Sequence, residues 1–330
     1  MPITRAYASA AQPGNAFLAG KNKIINGDFG IWQRGTSLAL SSSYVYLADR
    51  FKSTCRNGAG TQSRYSLTAA ESAICANLKY AYSFDISTAA TNTKPAITQF
   101  IEDSWDKYGK TFTVSFYAKA SKAITMDIAA DLIWANADNT ASTSVSLTTT
   151  FQRFSFTFTL SPSGTYNSAT DNLAMVWYTP MNDTYTVYMT GVQVESGSVA
   201  TPFQTATGTL AGELAACQRY YVKMWGGGTP AYNSWGAGGT SDVTEAYIHM
   251  QYPVMMRTVP TLTTTGTASD YRIRANVAFV CTSVPTLFHP GILTTEVNLV
   301  VSGGGMTVGR AITLDANNNV NAYLAFSAEL

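Results

Sequence analysis

Charge is scarce in this 330-residue chain: 21 Lys and Arg with 20 Asp and Glu make up 12 % of the sequence, about half the share of an ordinary soluble domain. The formal net charge is +1 and there is no block of Lys or Arg, so the footprint of a nucleic-acid binder or an anionic-membrane binder is missing. Histidine is scarcer still. His249 and His289 are the only two, which leaves little room for imidazole catalysis or imidazole-ligated metal. No apolar run reaches the ~18 residues of a membrane span, and the first 23 residues lack the apolar h-region of a signal peptide; the reading is neither. The four cysteines, Cys55, Cys75, Cys217 and Cys281, are too sparse and too far apart for a disulfide framework or a zinc knuckle. They read as free, mostly buried thiols of a protein assembled in a reducing cytoplasm. The phosphate-binding, zinc-protease and serine-hydrolase motifs are also missing.

Neutral polar residues and aromatics fill the gap. Between Ala141 and Leu160, ten of twenty residues are Ser or Thr, a β-rich texture, and the 46 % apolar fraction is ample for a sizeable core. Alternation is explicit. Phe112, Val114, Phe116 and Ala118 share one face of a strand whose other face carries Thr111, Thr113, Ser115 and Tyr117; Phe154, Phe156, Phe158 and Leu160 repeat the pattern against Ser155, Thr157 and Thr159. Both segments predict half-buried strands with one wet face. Tyr185, Val187 and Met189 are followed by Val192 and Val194 in the opposite phase, which predicts a bulge at Gly191.

From Gly208 to Met224 the period changes. Leu210, Leu214, Cys217, Tyr221 and Met224 are spaced 4, 3, 4, 3, a helical stripe too short to stand without packing partners. A second β region with frequent Gly, Pro and Asn turn signals follows to Leu330. The predicted class is all-β, with an N-terminal arm (1–22), a β-sandwich jelly roll (23–207), a connecting helix (208–224) and a smaller C-terminal β-sandwich (225–330).

Several segments in order carry a resemblance. Ile24 to Ser37 (IINGDFGIWQRGTS), Ala48 to Lys52 (ADRFK), Gly109 to Ser121 (GKTFTVSFYAKAS) and Val192 to Phe203 (VQVESGSVATPF) resemble the carbohydrate-binding-module-like jelly roll of bacteriophage tail fibres and related virion appendages. Leu214 to Tyr221 (LAACQRYY), Tyr252 to Leu262 (YPVMMRTVPTL) and Tyr323 to Leu330 (YLAFSAEL) resemble the C-terminal β module of such proteins. The resemblance implies a non-enzymatic virion protein, usually a homotrimer, that binds host-surface polysaccharide and docks on other virion proteins through its arm. Leu210, Leu214, Tyr221 and Met224 are then the candidates for the three-fold contact, or else seal the jelly roll of their own chain. A capsid decoration or head-fibre protein that stabilises the particle, and a glycan depolymerase, are the alternatives.

Candidate site residues follow. Indole and phenol rings offer the apolar face of a pyranose a flat partner, so Trp32, Trp134, Trp177, Tyr178, Trp225 and Trp235 are the pool; Tyr232 and Trp235, in a Gly-rich loop, and Trp177 are the selected ligand contacts. Trp177 and Tyr178 are strand neighbours and must face opposite ways. Jelly-roll carbohydrate modules often hold a structural calcium between their first and last strands, and the resemblance makes Asp28 and Glu195 its candidate ligands; an Asx turn at Asp28 and an ordinary hydrogen bond at Glu195 are the competing reading. Asp49 and Arg50 offer a buried ion pair, or Arg50 bonds carbonyls near Trp32. Glu102, Asp103 and Asp106 around Trp105 are the one dense acidic cluster, either a solvated turn or, for the depolymerase alternative, the source of a carboxylate pair.

Overall fold

The computed structural model describes residues 19–102, 109–134, 137–160 and 172–330, with 132–134 and 137–139 described by backbone alone. The protein is all-β, and its chain separates into two compact units.

The first unit is a sandwich of two six-stranded antiparallel sheets. One sheet runs β1 (Ser37–Ala39), β4 (Ala59–Ser66), β5 (Tyr80–Thr88), β12 (Tyr185–Ser196), β7 (Thr111–Ala120), β10 (Gln152–Thr159). The other runs β2 (Val45–Tyr46), β3 (Lys52–Thr54), β6 (Ala96–Glu102), β11 (Asn172–Tyr178), β8 (Ile124–Trp134), β9 (Ala137–Leu147). The alternating apolar residues meet between them. Phe29, Phe51, Tyr82 and Trp177 form a chain of ring contacts at 4.5–6.5 Å, and Phe116 meets the Trp177 edge at 6.0 Å. All five are fully buried, each contributing roughly 2–3 kcal/mol relative to exposure. One helix, α1 (Ala69–Ile74), links β4 to β5 and starts with a capping box between Thr68 and Glu71.

The expected bulge is present. β12 slips register against β7 between Thr190 and Gln193, and Gly191 takes φ +62°, so Tyr185, Val187, Met189, Val192 and Val194 are all buried. The bulge is held from outside the sheet: Asn22 Nδ2 donates to the Val192 carbonyl (3.1 Å) and the Val192 N–H donates to the Gly27 carbonyl (2.8 Å). Three sequence expectations need correction. The wet face of β7 is partly covered, since Thr113 and Ser115 are buried where Thr113 Oγ1 donates to the Gly197 carbonyl and Arg153 bonds both Ser115 and the Thr201 carbonyl. The arm cannot extend to residue 22, because Gly20 donates to the Ala206 carbonyl and buried Asn22 bonds Val192, Val194 and Gln204; residues 1–18 lie outside the described part. The helix α2 covers only Leu210–Gln218. Tyr221 and Met224 belong instead to the strand β13 (Tyr221–Trp225), which pairs with β22 (Tyr323–Ser327).

The second unit comprises Ala211–Leu330 together with two segments from the N-terminal half, Ile31–Thr36 and Tyr46–Arg50, so the boundaries read from the sequence were too simple. Its three-stranded sheet runs β13, β22, β16 (Thr261–Thr264). Its seven-stranded sheet runs β18 (Ala278–Val280), β17 (Tyr271–Arg274), β21 (Ala311–Ala316), β14 (Ser234–Thr240), β15 (Glu245–Gln251), β20 (Thr294–Val300), β19 (Thr286–Pro290). Val222, Leu324 and Phe326 from the small sheet share one core with Ile248, Tyr271, Ile273, Leu299 and Leu314 from the large one.

Asp49 and Arg50 are both buried in this second unit, and the ion pair of each is with another residue, not with the other of the two. Arg34 bridges Asp49 and Glu329 at 3.0 Å each, while Arg50 pairs with Glu329. The guanidinium of Arg34 lies 3.5 Å from the Tyr221 ring centroid and that of Arg50 lies 3.4 Å from Tyr220. Burial pushes the Asp49 carboxyl up to about 7 against the pull of Arg34. Burial also disfavours the Arg50 charge, but the nearby Glu329 outweighs it.

Candidate functional site

Strand β11 decides which rings face outward in the first unit. Leu173, Met175 and Trp177 point into the core, so Asn172, Ala174, Val176 and Tyr178 form the outer row. Trp177 is 0 % exposed and packs against Phe51 and Phe116; it cannot meet a ligand, whereas Tyr178 lies on the outer face and is half-buried. The signal was in the sequence, because polar Asn172 has the same parity as Tyr178.

The register extends the outer row across the sheet. On β6, Ala96 stands opposite Tyr178 and Phe100 opposite Ala174; on β8, Asp127 stands opposite Tyr178 and Asp131 opposite Ala174. Ala96, Ala129, Ala174 and Val176 form a low apolar floor against which Phe100 and Tyr178 pack. Lys52 of β3 places its ammonium 3.7 Å from the Phe100 ring centroid and 5.3 Å from that of Tyr44. Above β8 and β9 the face dips into a recess of about 450 Å³ lined by Asp127, Asp131, Thr140, Ser142, Ser144 and Tyr178. Asp127 accepts from Ser144 Oγ at 2.6 Å and from Lys94, bonds that hold its carboxyl below the usual range. Burial raises the Tyr178 phenol, with Asp131 and Tyr44 adding to the effect. The arrangement is a flat ring beside an apolar floor, rimmed by hydroxyls and carboxylates. Glu102 sits on the same face opposite Asn172; Asp103, Trp105 and Asp106 lie outside the described residues, as does the Trp134 side chain.

The remaining expected site residues are dispersed. In the second unit, Tyr232 is 40 % exposed with the Arg272 guanidinium 4.0 Å from its ring centroid. Trp235 is half-buried, donates its indole N–H to the Trp225 carbonyl (2.9 Å) and packs on Tyr271, so it supports the loop more than it presents a surface. Trp225 is exposed, with Lys223 Nζ 3.7 Å from its ring centroid. Trp32 is half-buried. Asp28 closes an Asx turn by accepting from the Gly30 N–H at 3.4 Å, and burial raises its carboxyl. The buried Glu195 carboxylate accepts from the Thr201 N–H and hydroxyl and from Gln193, with Lys21 Nζ 3.4 Å away. The two carboxylates expected to share a calcium thus have separate partners, and among the described residues no group of three or more His, Cys, Asp or Glu is placed to hold a metal ion. Of the expected three-fold contacts, Leu210 and Leu214 are exposed, Tyr221 is buried under Arg34, and Met224 packs on the second core.

No protein-family model matches the chain, and no curated protein matches it. Its structural neighbours are carbohydrate-binding modules and a phage tailspike domain. A family 11 carbohydrate-binding module from Clostridium thermocellum, solved with a mixed-linked tetrasaccharide, shares 12 % identity over 51 % of this chain and 98 % of its own, at a TM-score of 0.34. A xylan-binding domain from Paenibacillus barcinonensis shares 10 % identity over 56 % of this chain and all of its own, also at 0.34. The enzymatically active domain of tailspike protein 4 from bacteriophage CBA120 shares 12 % identity over 54 % of this chain but 22 % of its own, at 0.34.

Proposed function

We propose that the first unit binds a glycan across the outer face of its second sheet and does so without catalysis. The observation that carries this reading is the half-buried aromatic pair on the outer face, Phe100 and Tyr178 over a floor of Ala96, Ala129, Ala174 and Val176, edged by Asp127, Asp131 and Ser or Thr hydroxyls. A phenol ring takes the C–H face of a pyranose, and carboxylates and hydroxyls take its equatorial hydroxyls. The sequence motifs support display on a bacteriophage virion as a homotrimer, whose valency would raise a modest affinity per site.

The test is adsorption of the purified chain to bacterial envelopes, untreated and periodate-oxidised. Periodate-sensitive adsorption is expected, and Tyr178→Ala should reduce it by about tenfold while the chain still unfolds in a cooperative transition. Equal adsorption by wild type and Tyr178→Ala would overturn the assignment of the face.

A further inference from the structure

A different surface in the second unit carries a second ligand chemistry. The seven-stranded sheet buries Ile273, Ile312, Leu314, Ala246, Ile248 and Val297, so their strand neighbours form the outer face. Two rows cross it by register. Arg274, Thr313, Ala237, His249 and Glu296 form one; Ala311, Gly239, Tyr247 and Asn298 form the other. The middle of both rows is small, so the face sinks to a trough between unlike walls.

On one side the wall is cationic. A recess of about 460 Å³ lies between Arg274 and Arg310 with Asn276 and Thr313 on its lining, and Arg310 also borders a smaller recess of about 100 Å³ beside Phe279. Arg274 is half exposed and donates through Nε to Asp315 at 2.7 Å; Arg272 approaches the same carboxylate at 3.3 Å. Arg310 is exposed, and its guanidinium has no carboxylate partner among the described residues. Three arginines therefore stand against one aspartate. The root of Arg310 is fixed, because its N–H donates to Thr240 Oγ1 (2.9 Å) and its carbonyl accepts from the Thr240 N–H (3.1 Å). The opposite wall is aromatic: Tyr247 and exposed Phe288 are in contact, with centroids 4.4 Å apart and planes tilted by 38°. Glu296, on that side, is engaged by His289 at 2.8 Å. Two strand spacings, about 10 Å, separate β21 from β15, and three, about 14 Å, separate Arg274 on β17 from β15, so a sugar ring over Gly239 meets Arg274 through the reach of its long side chain.

We infer that this trough binds an acidic saccharide, a pyranose bearing a carboxylate, with Arg310 and Arg274 taking the carboxylate and Tyr247 with Phe288 taking the ring. Guanidinium forks match carboxylates in geometry as well as charge, and an aromatic wall opposite them selects a sugar over a bare anion. The site is separate from the Tyr178 face, so it stands if that assignment fails.

Isothermal titration of the full chain with tetragalacturonate and with its methyl ester tests the inference. The acid should bind and the ester should not. Arg310→Ala should weaken binding by about tenfold and Tyr247→Ala by about fivefold, whereas Tyr178→Ala should leave it unchanged. No binding of the acid, equal binding of the ester, or full affinity in Arg310→Ala would overturn the proposal. Loss in Arg310→Ala with full affinity in Tyr247→Ala would also overturn it, because it would mean capture of a bare anion.

Discussion

Asn22 is the residue on which the N-terminal edge of the first unit turns. Its side-chain oxygen accepts from the Ile24 and Val194 N–H groups and its amide donates to the Val192 and Gln204 carbonyls, filling its side-chain capacity in a buried site where any unmade bond would be costly. Gly27 completes the same contact: a Cβ there would lie 2.1 Å from the Val192 carbonyl oxygen. The Ile24 to Gly30 motif is thus tied to the bulge of β12, nearly the whole module away in sequence. The cysteines, by contrast, answer mainly to burial. All four are free and buried, and burial pushes the thiols of Cys75 and Cys281 up to about 12 and that of Cys217 well above its ordinary value. The thiolate is the nucleophile, so iodoacetamide at pH 8 is expected to label none of them in the native protein and all four in denaturant. Native labelling would show that these sites open.

At the scale of elements, the bulge in β12 was legible because a phase switch around a glycine leaves few other ways to bury both halves of a strand. Gly191 cannot be replaced cheaply. Its φ is +62° and an added Cβ would meet Tyr117 at 2.8 Å, so Gly191→Ala is expected to lower stability by about 2 kcal/mol or more, read as a lower urea midpoint; an unchanged midpoint would mean that β12 can shed the bulge. The helix was legible only in part. Leu210, Leu214 and Cys217 fit one stripe, but the same spacing ran on by coincidence into Tyr221 and Met224, whose state is set by pairing with β22 about a hundred residues later, and local period cannot report such a partner. The outer face of β7 failed for a related reason: Thr113 and Ser115 look like wet positions until the segment after β12 accepts from Thr113 and Arg153 of β10 bonds Ser115. Alternation separated Trp177 from Tyr178 without saying which was inside; Asn172 held that answer.

At the scale of the whole molecule, the second unit is not a continuous piece of chain. Ile31–Thr36 and Tyr46–Arg50 belong to it, and they supply Arg34 and Arg50, which form ion pairs with Glu329 near the C-terminal end. Tyr46 adds a hydrogen bond from its hydroxyl to the Leu330 carbonyl at 2.6 Å. Arg50 holds φ +71°, a conformation that costs about 1–3 kcal/mol for a side chain of this kind and persists only where surrounding bonds overdetermine it. Cutting the chain at the apparent boundary would remove both arginines and leave the Glu329 carboxylate and the ring faces of Tyr220 and Tyr221 without their cations. Losing the partners of a buried charge costs roughly 3–5 kcal/mol, a large part of the stability of a domain this size. A fragment of residues 211–330 is therefore expected to unfold in urea well below the second-unit transition of the full chain, or to show no cooperative transition. Glu329→Gln in the full chain should lower that same transition, because it leaves Arg34 and Arg50 buried against a neutral amide, and pairing it with Arg50→Met should recover part of the loss as a positive coupling in the double-mutant cycle. A fragment that unfolds at the full-chain midpoint, or strictly additive effects in the cycle, would show that the second unit does not need the two N-terminal segments.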